Sequence, residues 1–186
     1  MKNIVSIFIA AVMLVSFSAF ADDTAAIQFS SFDFNAPKAK AVNGVRFPAI
    51  YGKQGGNIQG VDVQLLAWSE MESLKGVSIP VWLLGGNKIT GDMTGVSLGL
   101  LSWHEGNDVG ANLSMINFTN NVKGLNLGMF NVSTGTTSVD ISATNVSETA
   151  LVQVGLVNVT GEIKGLQIGV LNCARNGFLR CFPFVL

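Results

Sequence analysis

The sequence predicts an all-β chain wound as a β-solenoid-like stack of about eleven short repeats of about 14 residues. Three observations predict it. One string recurs along the chain: glycine, aliphatic, polar, aliphatic, glycine or small, two apolar residues, asparagine, apolar, then a polar turn. Within each copy apolar and polar residues alternate with period two, as in a strand with one buried face. Five asparagines, Asn117, Asn131, Asn145, Asn158 and Asn172, occupy the same eighth position of successive copies.

The clearest copies run from Gly124 to Val132 and from Gly165 to Cys173, with Ser138–Val146 and Leu151–Val159 between them in the same register. Earlier copies begin at Gly110, Gly95, Gly76, Gly60, Gly44 and, more loosely, Ala26, and a truncated copy from Gly177 to Val185 closes the chain. Starts from Gly110 onward are 14, 14, 13 and 14 residues apart, whereas earlier ones are 15 to 19 apart, so the early copies carry inserted loops. The third position is polar in all ten full copies, and positions two, four and six are mostly aliphatic. That pattern predicts about thirty inward aliphatic side chains, each contributing roughly 1.5–3 kcal/mol before chain entropy is subtracted. Polar tails such as Ser133–Thr137 and Thr160–Glu162 read as turns.

Stacking the copies as rungs about 4.8 Å apart turns the five asparagines into a ladder whose amides bond from rung to rung. An antiparallel β-barrel or meander is the alternative, since export plus short alternating strands is also the weak signature of an outer-membrane barrel. It leaves the aligned asparagines without a shared purpose, so the solenoid is preferred.

Residues 1–21 have the parts of a secretory signal: Lys2, an apolar run from Ile4 to Phe17, and the small-residue exit Ala19-Phe20-Ala21. Cleavage is expected before Asp22, leaving residues 22–186 as a single β-repeat domain with regular repeats over 95–173 and a C-terminal cap over 174–186. No later run is apolar enough to span a bilayer as a helix. Without Lys2, ten Lys and Arg face twelve Asp and Glu, a formal charge of −2. No basic face exists to hold nucleic acid. Charged residues are only 12% of the chain, about half the usual share, which suits a surface turned towards lipid or a partner. Cys173 and Cys181, meeting an oxidising compartment after export, are expected to form a local disulfide.

The strings Gly124-Leu125-Asn126-Leu127-Gly128-Met129-Phe130-Asn131-Val132 and Gly165-Leu166-Gln167-Ile168-Gly169-Val170-Leu171-Asn172, with the closing Asn176 to Phe184 segment, resemble the leptospiral-type surface repeat proteins of bacteria. The resemblance runs from about Gly44 to the C-terminus and is weak before Gly95, where Pro48, Tyr51 and Pro80 depart from the pattern. It implies an envelope or surface location and carries no catalytic residues.

Gly95-Val96-Ser97-Leu98-Gly99 matches the G-x-S-x-G string of a nucleophile elbow. Its glycines are simply positions one and five of the repeat, and Ser97 is the polar residue of its rung. His104, the only histidine, stands too close in sequence for the usual hydrolase ordering. No catalytic residue is assigned. No metal or cofactor is expected, because ligands are too few; Glu105, Asn107 and Asp108 read as a solvated turn. The Asn-x-Ser/Thr strings at Asn117, Asn131, Asn145 and Asn158 follow from the repeat itself. Tyr51, Trp68, Trp82 and Trp103 gather in the early copies, either as large core residues or as a face for a glycan, a protein partner or a membrane interface.

These readings converge on an exported, non-enzymatic surface or envelope repeat protein with a structural or partner-binding role. It is expected at the outer membrane or cell surface, or alternatively in the periplasm, with an envelope protein, glycan or lipid as partner. A small outer-membrane β-barrel is the alternative.

Overall fold

The computed structural model describes residues 23–66, 68–82 and 84–186. The expected signal peptide lies outside the described residues. The chain forms β1 (Thr24–Phe32), β2 (Phe34–Ala36), β3 (Ala41–Gln64), β4 (Trp68–Pro80), β5 (Gly86–Ile89), β6 (Met93–His104), β7 (Asn107–Thr119), β8 (Asn121–Leu127), β9 (Phe130–Ala174) and β10 (Cys181–Val185). Long runs such as β9 continue around corners through several coils. Pairing is parallel from β1 through β3 and on to β9, and antiparallel only at the two ends, β1 with β2 and β9 with β10. Stacked parallel coils of this kind are a β-solenoid, here of about eight turns. Neither terminal copy closes as a coil: β2 returns antiparallel to β1, and β10 folds back along β9. The count of about eleven repeats is accordingly approximate.

Register is kept by side chains at equal repeat positions. Gly60, Val61 and Asp62 lie beside Gly76, Val77 and Ser78, and Gly95, Val96 and Ser97 lie beside Gly110, Ala111 and Asn112. The opening glycine has a steric reason. Gly110 sits at φ +140°, and a Cβ there would overlap the carbonyl oxygen of Gly95, a close approach that only glycine permits. Beyond Gly124 the column passes to Ser138 and Leu151, which have no left-handed backbone.

The alternation is present, but its phase is the reverse of the expected one. Every third-position residue from Gln28 to Gln167 is buried, including Arg46, Asp62, Asn112, Asn126, Asp140 and Gln153. Leu127, Ile141, Leu166 and Ile168, expected inside, are exposed. Period two identifies two faces of a strand and says nothing about which faces inward. The interior apolar cluster is confined to the early coils: Val42, Ile58, Leu74 and Met93 on the turn side, with Met71 and Ile89. Apart from Ala25, Val122, Ala150 and Ala174, the rest of the core is polar.

Candidate functional site

The eighth-position asparagines form a continuous chain of amide bonds. Asn117 Nδ2 donates to Asn131 Oδ1 at 2.8 Å, Asn131 to Asn145 at 3.0 Å, Asn145 to Asn158 at 2.8 Å and Asn158 to Asn172 at 2.7 Å. The second amide hydrogen of each of the first four reaches a backbone carbonyl, of Leu127, Ile141, Val154 and Ile168 in turn. Side chains one rung apart are spaced as amide donors and acceptors require, so a polar interior carries little desolvation cost where its groups bond to each other. All five asparagines are buried, which closes the Asn-x-Ser/Thr strings to glycosylation in the folded chain.

The third-position column forms a second ladder with a change of direction. Asn112 donates to Asn126 at 2.9 Å, and Asn126 to Asp140 Oδ1 at 3.0 Å. Above that point the donors reverse: Gln167 donates to Gln153 at 2.7 Å and Gln153 to Asp140 Oδ2 at 3.4 Å. Asp140 is the acceptor-only group that can receive from both sides; Thr137 also donates to it at 2.6 Å. Burial holds its carboxyl above the ordinary range, and the three hydrogen bonds pull it back down. Lower in the column, Arg46 Nη1 meets Asp62 Oδ1 at 3.3 Å with both side chains fully enclosed. Burial lowers the Arg46 pKa and raises that of Asp62, each opposed by the other's charge. Ser30 and Ser69 accept further bonds from Arg46.

Ser97 and His104 belong to this interior. Ser97 Oγ accepts from Asn87 Nδ2 at 2.8 Å and lies 3.0 Å from Ser102 Oγ. His104 Nδ1 is 2.7 Å from Asp108 Oδ2 and its Nε2 is 2.8 Å from Asn87 Oδ1. Asn87 therefore stands between serine and imidazole, both ring nitrogens are engaged, and His104 is 2% exposed. The string that matches a nucleophile elbow lies on a straight strand with its serine turned inward. Asp108 is buried against His104, while Glu105 pairs with Lys88 at 3.0 Å and Asn107 bonds Asp92, so these three turn residues do not converge on an ion. No metal-binding group of His, Cys, Asp and Glu exists among the described residues.

The aromatic residues do not form one patch. Tyr51 and Trp68 stand side by side in the seventh-position column, and Trp103 lies in the ninth-position column, with Phe118 at 6.0 Å and Lys88 over its ring. Tyr51 donates to Glu70, which raises the tyrosine pKa to about 12 and lowers that of the carboxyl. Trp82, 63% exposed, is in the loop between β4 and β5 on the opposite edge of the solenoid. Cys173 and Cys181 are joined by a disulfide, directly across the β9–β10 pair.

What sequence reasoning missed is the exterior. Positions two and four form one broad face, Ile27 to Leu166 and Phe29 to Ile168, and it contains no charged residue. The narrow edge at positions five and six is apolar as well, with Met115, Met129, Leu156 and Val170 exposed and Val81, Trp82 and Leu84 projecting from a loop. The second broad face is charged only in the early coils, at Lys53, Glu70 and Lys88, and then apolar through Phe118, Phe130, Val146 and Leu171. A groove of about 670 Å³ runs along the glycines of the apolar edge, between Leu127, Ile141 and Ile168 on one side and Leu156 and Val170 on the other, closed by Phe184 and Val185. Nine charged residues between Glu72 and Arg175 occupy the remaining edge, where the turns are. Confinement of charge to the turns was the available signal. No known protein family matches the chain, and neither a characterised protein nor a solved structure resembles it.

Proposed function

We propose that the chain is an exported, non-enzymatic envelope protein that works by binding, through its outer surface, a large apolar partner. One observation carries the reading: the polar side chains are turned into the solenoid and bonded there, and the aliphatic ones are turned out over two faces and an edge. Contiguous apolar patches beyond a few hundred Å² mark interaction surfaces in folded proteins. The signal-like N-terminus and the resemblance to surface repeat proteins support an envelope location. The G-x-S-x-G serine and the single histidine are sealed into the interior network, so nothing in their geometry supports hydrolysis. An outer-membrane barrel role finds no support in parallel coils.

The test is fractionation of cells that express the full chain, with carbonate and then detergent extraction of the membrane fraction. Retention through carbonate and release by detergent is the expected result. Recovery as a monomer in the soluble fraction, with no bound component, would sink the reading.

A further inference from the structure

The apolar exterior identifies its occupant by shape and by where the charges stop. We propose that it takes the acyl layer of one membrane leaflet, the solenoid axis lying in the plane of the membrane and the turn edge resting among the headgroups. The inference rests on the envelope-binding reading above and deepens it.

Seen in cross-section, the later coils have a polar turn edge, charged in most of them, and three apolar sides, while the early coils also carry Lys53, Glu70 and Lys88 on the second broad face. The turn edge carries both signs, for example Glu72 with Lys75 and Glu162 with Lys164, a pattern that complements zwitterionic headgroups and their water. From that edge to the apolar one a coil runs five strand residues, about 16 Å at roughly 3.3 Å each. Half of a hydrocarbon core is about 15 Å. The exposed charges nearest the apolar sides, Lys53, Glu70 and Lys88, stand at the ninth position, next to the turn edge. They are paired, Lys53 with Glu70 at 3.6 Å and Lys88 with Glu105 at 3.0 Å.

A bilayer interior also demands that polar groups find partners within the protein. The rung-to-rung backbone bonds and the two amide ladders do this for most groups along the stack, leaving a few buried atoms such as Arg46 Nη2 and Asp108 Oδ1 without a partner. At the two ends of the stack β2 covers part of the edge of β1 and β10 part of the edge of the last coil, and Asp33, Lys38 and Arg180 stand beside these short strands, residues that draw water there.

A second copy is the competing occupant. Ten rows about 4.8 Å apart and about 16 Å wide give a broad face of roughly 750 Å², close to one partner's share of a standard interface. Sheet-on-sheet pairing would therefore bury one face well. It would leave the projecting Trp82 loop, the apolar edge and the later half of the second face in water. A leaflet covers all three sides at once.

The experiment is depth-dependent fluorescence quenching of the exported chain in vesicles of phosphatidylethanolamine and phosphatidylglycerol, with bromines placed near the headgroup or deep in the acyl chain. Two proteins, each keeping one native tryptophan, are compared: W68F/W103F, which keeps Trp82, and W68F/W82F, which keeps Trp103. Circular dichroism checks that both keep the parent fold. Trp82, at the edge far from the turns, should lose more fluorescence to deep bromines than to shallow ones, and Trp103 should show the opposite order. Equal quenching of both tryptophans at both depths overturns the inference, as does protein that stays outside the vesicles. If that protein sediments as a dimer, the faces belong to a second copy and the envelope reading survives; if it is a lone monomer, both fail.

Discussion

Asp140 stands where two amide ladders of opposite direction meet, and its neighbours explain why a carboxylate occupies a buried position. Asn126 donates from below and Gln153 from above, so an asparagine there would turn an amino group towards a donor. The cost is a buried charge without a cation, and burial accordingly raises the carboxyl pKa. A carboxyl whose folded pKa lies above its unfolded value destabilises the fold when ionised. That cost is absent below the unfolded pKa and develops as pH rises through the folded one. Thermal melts of D140N and the parent between acid and neutral pH should therefore show the variant gaining relative stability as pH rises. A difference independent of pH would mean that the carboxyl is not perturbed. At this scale the residue type was legible, since a polar third position recurs in every copy, but its burial was not. Nothing in the local string distinguishes Asp140 from a solvated aspartate.

A single strand is not the stabilising element of this protein; the column is. Asn145 accepts from Asn131 and Ser142 and donates to Asn158 and to the Val154 carbonyl. N145A removes these bonds and strands buried partners, at about 1–3 kcal/mol for each group left without a bond. T134A, on the exposed turn edge, should cost less than about 0.5 kcal/mol. Denaturant unfolding of the two variants measures the contrast, and equal effects would mean that the ladder contributes nothing beyond its backbone. The ladder's membership was legible because five asparagines recur at one repeat position, and only stacked parallel rungs give such recurrence a use. The column from Thr119 through Ser133 and Ser147 to Thr160 was not, because serine and threonine next to a turn read as part of the turn. In the structure their side chains are buried, and Asn126 and Gln153 reach across the coil to them.

Across the whole molecule each coil touches only its neighbours, so the ends matter more than the middle. Beyond Ala174 the chain turns back, and β10 pairs antiparallel with the last coil, Cys181 opposite Cys173 and Val185 opposite Ile168. The disulfide closes a short loop, sequence separation 8, for which the chain-entropy model gives roughly 2–3 kcal/mol. C181S should loosen β10, uncover the edge of the last coil and promote association by edge pairing. Hydrogen exchange should show lost protection in the last coil and little change around Asn117. Loss spread evenly over all coils would show that the stack unfolds as one unit.

The sequence by itself determined the repeat, the all-β coil and the Asn ladder. Each of these follows from spacing: equal intervals place like residues on neighbouring rungs, and glycine recurs where one rung's carbonyl meets the next rung's backbone. Only the tertiary structure decided which side of the strand is inside. Alternation has two solutions of opposite phase, and the aliphatic-inward one is the usual choice for an isolated sheet in water. In a stack of near-identical rungs the amides and hydroxyls satisfy one another along each column, so the polar phase can be buried. That frees the aliphatic phase to face outward.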